Sequence, residues 1–222
     1  MKRRPYLAGI IAVCATILIS AGLLAQENPF EQMSPEEQAL MKAWMEYATP
    51  GEHHQKLAQR VGEWTLDGKM WHEPGSEAEP FEGTSKIKPI MGGRYFIEEV
   101  DGPGFMGMPF EAFSVFGYDN LTKTYFTVFF DNMMTGVSRY EGTPSGDGKT
   151  IHYTADVPDV MSGQYKKVRA TDTMLDKGHF VFTMYDTTPD GDEFKAMEIQ
   201  VTRKGASPTS KPMEQMKKKK GY

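Results

Sequence analysis

Gly62-Glu63-Trp64-Thr65-Leu66-Asp67-Gly68-Lys69-Met70 alternates between apolar or small residues and polar ones. A period of two is that of a β-strand with one buried face. Trp64, Leu66, Gly68, Met70 and, one step on, His72 therefore share the side expected to point inward, against Thr65, Asp67 and Lys69. The same alternation returns near the other end of the chain. There Met197, Ile199, Val201 and Arg203 fall together, against Glu198, Gln200 and Thr202.

Between these two segments the chain reads as ten strands, over 62–73, 81–89, 93–101, 110–118, 123–131, 136–143, 149–156, 165–174, 178–186 and 193–203. The connections carry turn chemistry, as in Asp119-Asn120, Ser145-Gly146-Asp147-Gly148 and Pro189-Asp190-Gly191-Asp192. Evenly spaced short strands with no helix between them predict an all-β fold, an up-and-down antiparallel barrel of about ten strands. With an even strand number, the start of the first strand and the end of the last meet at one end. Arg203 is then expected to stack on Trp64, with Gly62 and His54 completing that closure. The turns at this end are short. At the other end the loops are longer and carry Met106, Met108, Met133, Met134 and Met161, a methionine-rich rim.

Upstream of the barrel the period changes to that of helices. Ser34-Pro35-Glu36-Glu37 is a capping box with proline at the first helical position, and Leu40, Ala43, Trp44 and Tyr47 follow on one face. Thr49-Pro50-Gly51-Glu52 repeats the start signal before His54, Leu57, Ala58 and Val61, and Gly62 stops the helix. The two short helices are expected to plug one barrel end. Earlier still, Lys2, Arg3 and Arg4 precede an apolar run from Leu7 to Ala25, the form of an export signal. Its length leaves two outcomes open, cleavage after Ala25 or retention as a membrane anchor. The expected divisions are 1–25 signal or anchor, 26–61 helical plug, 62–204 barrel and 205–222 a disordered lysine-rich tail.

Composition narrows the function. Cys14, the only cysteine, lies in the apolar N-terminal run, so the domain has no disulfide, thiolate metal site or cysteine nucleophile. Setting aside Lys2, Arg3 and Arg4, 22 of the 25 basic residues face 30 acidic ones, which argues against a nucleic-acid partner. Gly-x-Ser-x-Gly and His-Glu-x-x-His are absent, and no other nucleophile–base or metal-ligand spacing supports catalysis. Gly102-x-Gly104-x-x-Gly107 has the spelling of a dinucleotide fingerprint. It leads into a strand instead of a helix, so it reads as a loop.

The Gly62-x-Trp64 pair with a late arginine resembles the hallmark of lipocalin-like barrels, or calycins. The chain is more closely similar to a bacterial family known only as domain of unknown function 1579. The shared pattern is Pro50-x-x-x-His54-x-x-Leu57, Gly62-x-Trp64, Gly92-Gly93-Arg94-Tyr95, Gly117-Tyr118-Asp119-Asn120, Tyr140-x-Gly142, the aromatic strand Tyr125 to Asp131, and Arg203. The resemblance covers about residues 48–204 and implies a calycin-type fold without an assigned activity.

The resulting expectation is an exported, periplasmic or extracellular barrel that binds a small hydrophobic ligand and is not an enzyme. Met70 and His72 are the candidate contacts from inside, with Met106, Met108, Met133 and Met134 at the mouth. Phe96, Phe113, Tyr125, Phe129, Tyr153 and Phe182 either line a cavity or fill it. No cofactor is expected as the leading reading. Haem at His72 and Cu(I) on the rim methionines are the minor alternatives. A filled barrel acting as a protein-interaction module, with Phe126, Val128 and Phe130 as an oligomer contact, is the other.

Overall fold

The computed structural model describes residues 33–105 and 108–206. The proposed N-terminal signal, Met106 and the lysine-rich tail lie outside them. The chain divides into two compact units, one ending at Glu46 and the other beginning at Tyr47. Helix α1 (Pro35–Ala48) opens with the expected cap: the Ser34 hydroxyl accepts from the Glu37 N–H, and Glu37 Oε2 accepts from the Ser34 N–H at 2.8 Å. The apolar stripe of α1 is not buried; Leu40, Trp44 and Tyr47 are all exposed.

Helix α2 (Glu52–Ala58) starts two residues later than the Thr49-Pro50 signal suggests. Gly51 is its cap, and His54 Nδ1 accepts the Gly51 N–H at 3.1 Å. An imidazole thus does what a glutamate does in the usual capping box. Desolvation lowers the His54 pKa, in keeping with a neutral ring that accepts.

Ten antiparallel strands follow: β1 (Gly62–Met70), β2 (Glu79–Ile90), β3 (Tyr95–Phe105), β4 (Met108–Asp119), β5 (Thr124–Asp131), β6 (Ser138–Pro144), β7 (Thr150–Asp159), β8 (Gln164–Asp176), β9 (His179–Thr187) and β10 (Glu193–Arg203). Each pairs with its sequence neighbours, and β1 pairs with β10, so the barrel is closed. Closure leaves no strand edge to template aggregation, without help from disulfides.

The β1–β10 register sets Trp64 opposite Arg203, Leu66 opposite Val201, Gly68 opposite Ile199 and Met70 opposite Met197. All eight face inward, as the alternation predicts. Gly62 has φ +139, and a Cβ there would stand 2.5 Å from Arg203 Nη1, so the guanidinium occupies the place of the missing side chain. That is the physical reason for glycine two residues before the tryptophan.

The core sits at this end. Leu57, Trp64, Ile87, Phe96, Phe116, Tyr118, Tyr125, Phe180 and Val201 form its buried cluster, with Trp64 1% and Phe96 0% exposed. Helix α2 packs on β3, β4 and the 3₁₀ turn (Met91–Gly93) between β2 and β3.

Two expected orientations are corrected. The strand carrying His72 ends at Met70, so the alternation does not reach His72, which is exposed and paired with Glu79 at 3.2 Å. Phe113 belongs to the outward set of β4, where it contacts Phe130 with ring centroids 5.4 Å apart. His179 is 9% exposed, and its Nδ1 lies 2.8 Å from Asp176 Oδ1.

Candidate functional site: a polar floor inside an apolar barrel

Counting along the strands from the buried apolar residues places several charged and hydroxyl groups inside the barrel. On β8, Val168, Ala170, Asp172 and Met174 share the inner face; on β3 it is Phe96, Glu98 and Val100. Ser114 on β4 lies directly across from Glu98, and Ser85 on β2 is diagonal to it, opposite Val100. Arg60, just past α2, enters from the plug.

Arg60 and Asp172 make a bidentate ion pair, Nη1 with Oδ2 and Nη2 with Oδ1, the second at 2.7 Å. Both residues are buried. Burial by itself would lower the Arg60 pKa, but the Asp172 charge and its hydrogen bonds outweigh that and hold it above the ordinary value. The guanidinium also lies 4.7 Å from the Phe180 ring centre, and the Arg60 carbonyl accepts the Trp64 indole N–H at 2.8 Å. One residue therefore ties plug, floor and first strand together. Its charge is satisfied within the protein.

Glu98 is different. Protein surrounds it on all sides, yet its residue keeps accessible surface, as expected of a group facing an internal space. Desolvation raises its pKa; hydrogen bonding from Ser85 and Ser114 and the Arg60 charge pull it back, and the Asp172 charge pushes it up further. The Ser85 and Ser114 hydroxyls face this carboxyl and are themselves buried. Neither completes a hydrogen bond of good geometry to a protein atom. Buried hydroxyls so loosely partnered are unusual.

The raised Glu98 pKa costs stability at neutral pH. Because the folded value lies above the unfolded one, the native state holds the proton more tightly between the two, and stability falls as pH rises through that interval. Glu98→Gln is therefore expected to be more stable than the parent in urea at pH 7, the gain vanishing below about pH 4. A parent that is the more stable of the two at pH 7 would contradict this account.

Above the floor the walls are aromatic and aliphatic. Leu66, Val100, Phe129, Tyr140, Phe182, Met184 and Ile199 face inward yet are only half-buried, unlike the core beneath them. Tyr140 and Tyr153 bracket this zone at 6.1 Å, edge to face, and desolvation pushes Tyr140 up to about 12. Further up, Lys166 and Asp186 pair at 2.5 Å across β8 and β9. Below, at the plug, His53 stacks on Tyr118 with ring centres 3.9 Å apart and bonds the Tyr125 hydroxyl at 2.7 Å. These contacts seal the base.

Among the residues singled out from the sequence, Met70 lies on the inner face at the top of β1 and is half-buried. Met108 is exposed at the start of β4; Met133 and Met134 are exposed in the β5–β6 connection, their N–H groups donating to Asp131 Oδ1. Asn132 ties that connection to β4 by donating to the Pro109 carbonyl at 2.8 Å, so these three methionines belong to neighbouring strand ends. Met106 is outside the described residues, and His72 is exposed beyond the end of β1. Among the described residues no group of three or more His, Cys, Asp and Glu is placed to hold a metal ion.

At the closed end Gly62, Trp64 and Arg203 come together. The Arg203 Cζ lies 4.1 Å from the Trp64 ring centre. Arg60, Glu98, Asp172, Ser85 and Ser114 escaped the sequence reading, although strand parity alone places the last four inward. An open groove of about 720 Å³ also crosses the outside of β10, β1, β2 and β3, lined by outward Thr65, Asp67, Glu82 and Asp101 among others. It has no enclosed apolar wall.

A search of curated proteins gives no match. Among solved structures, a redesigned β-barrel is 14% identical, with a TM-score of 0.35, over 66% of this chain and 92% of that one. Rv2717c from M. tuberculosis is 11% identical, with a TM-score of 0.49, over 70% of this chain and 99% of that one. Likenesses of this extent say nothing about function. The family comparison covers most of the barrel and its plug: residues 49–203 match the model described as "Protein of unknown function (DUF1579)", and the chain belongs to that family.

Proposed function

We propose that this protein is an exported carrier that holds a small, largely apolar molecule inside its barrel, admitted at the end bearing the rim methionines. The observation that carries this reading is the contrast between the two halves of the inner face. Near the plug the inward side chains are buried; farther along, Leu66, Val100, Phe182 and Ile199 keep accessible surface although strands close around them. Apolar walls with a few polar groups at the bottom are the usual make-up of a small-molecule site. Methionines suit the mouth because they repack around varied shapes.

A second reading rests on the outer face of β3, β4 and β5. There Ile97, Val115 and Val128 lie side by side in register, flanked by the Phe113–Phe130 and Tyr95–Phe126 pairs. In this reading the interior is filled and the face joins two copies of the chain.

Val100→Trp separates the two. In a hollow barrel the indole occupies the ligand's space: the variant folds with near-parental stability and loses the fluorescence rise of Nile red, a neutral apolar probe, seen with the parent. In a filled barrel the same change overpacks the core, at a cost of about 1–3 kcal/mol. The parent then gives no rise either, and this would overturn the carrier reading.

A further inference from the structure

The inner floor carries information about the polar end of the molecule, and the argument rests on the carrier reading above. The inward-facing cations among the described residues are already engaged: Arg60 gives both terminal nitrogens to Asp172, Lys166 is paired with Asp186, and Arg203 donates to backbone carbonyls at the closed end. An anionic head such as a fatty-acid carboxylate would meet no available cation there, and would meet Glu98 instead. The Arg60–Asp172 pair sums to zero charge, which leaves Glu98 as the uncompensated acid of the floor. Beside it stand two buried hydroxyl oxygens with lone pairs to offer, Ser85 Oγ and Ser114 Oγ, on the strands to either side.

The three acceptors come from adjacent strands of a rigid sheet, so their spacing is fixed by the ladder. A primary ammonium has three N–H donors and one positive charge. It would satisfy three acceptors and one negative charge together, where an alcohol has a single donor and a carboxylate none.

We infer that the molecule held in the barrel is an apolar primary amine, its ammonium group donating to the Glu98 carboxylate and to the Ser85 and Ser114 hydroxyls. The ion pair forms away from water, where a charge-assisted hydrogen bond is strongest. The elevated Glu98 pKa fits this picture, since the site lacks its counter-ion until the amine arrives.

The test uses octylamine, 1-octanol and octanoate, which share a chain length and differ at the head. Each displaces Nile red from the purified protein at pH 7.5. Octylamine is expected to bind about tenfold or more tightly than octanol, as for a charge-assisted hydrogen bond in a buried site, with octanoate weakest. Glu98→Gln, which should fold at least as well as the parent, is expected to bring octylamine and octanol within about threefold of each other, because the charge is gone while the shape remains.

Equal affinities for octylamine and octanol in the parent would overturn the amine assignment and leave the carrier reading standing. So would octylamine affinity unchanged in Glu98→Gln, or octanoate as the tightest of the three. If neither Nile red nor any of the octyl compounds binds, the carrier reading falls, and the amine with it.

Discussion

Asp172→Ala is expected to destabilise the barrel by about 3–5 kcal/mol, read as a lowered urea midpoint by circular dichroism. The reason lies in what the substitution leaves behind. Arg60 stays buried, its guanidinium held under Phe180 by a backbone that also bonds Trp64, with no carboxylate to meet it. Water cannot easily reach it, and α2 cannot move aside without uncovering the core. Removing both charges is a different experiment. Arg60→Met with Asp172→Leu leaves no unpaired charge and restores apolar volume, so the double variant should recover most of the loss. A single variant costing less than about 1 kcal/mol would mean that Arg60 escapes to solvent, contrary to its position here.

The sheet was legible because alternation reports which face meets the core. β10 spans Glu193–Arg203, as read, and β5 begins one residue late, at Thr124. Expectation and structure part where a strand ends or where its inward residues are polar. At the top of β1 the chain leaves the sheet after Met70, and nothing in Trp71-His72 announces that. In Ile97-Glu98-Glu99-Val100 two adjacent acids give no alternation, so Glu98 does not stand out from its outward neighbour Glu99. Asp172 sits between Thr171 and Thr173, a run that looks polar on both faces. Parity counted from Val168 and Ala170 puts it inside, but a pattern sought in hydrophobic residues passes over the polar ones. Arg60 had no signal of this kind: its partner lies 112 positions away, and only barrel closure brings them together. Polar floors are hard to read for this reason. They break the rule by which the fold is recognised.

The closed end offers a prediction of similar size, which separates support of the fold from ligand contact. Trp64→Ala is expected to cost about 3–5 kcal/mol, since it empties the volume of one of the two most buried large side chains. It also strands the Arg60 carbonyl. Arg203→Ala should cost about 2–3 kcal/mol by a different route. Its guanidinium donates to the carbonyls of Gln59 at 2.5 Å, Val61 at 2.8 Å and Lys177 at 3.1 Å, so it holds the chain leaving α2 and the β8–β9 turn against the end of β10. The two residues also meet face on, at 4.1 Å. Their effects should not add: the double variant is expected to fall short of the sum by about 1 kcal/mol, the coupling of a partly buried cation–π contact. Strict additivity would show that Arg203 acts through its carbonyl contacts alone, with the tryptophan ring only a neighbour. Octylamine binding by the folded fraction of Arg203→Ala should match the parent, because this end supports the floor from below and the proposed ligand would touch it from above.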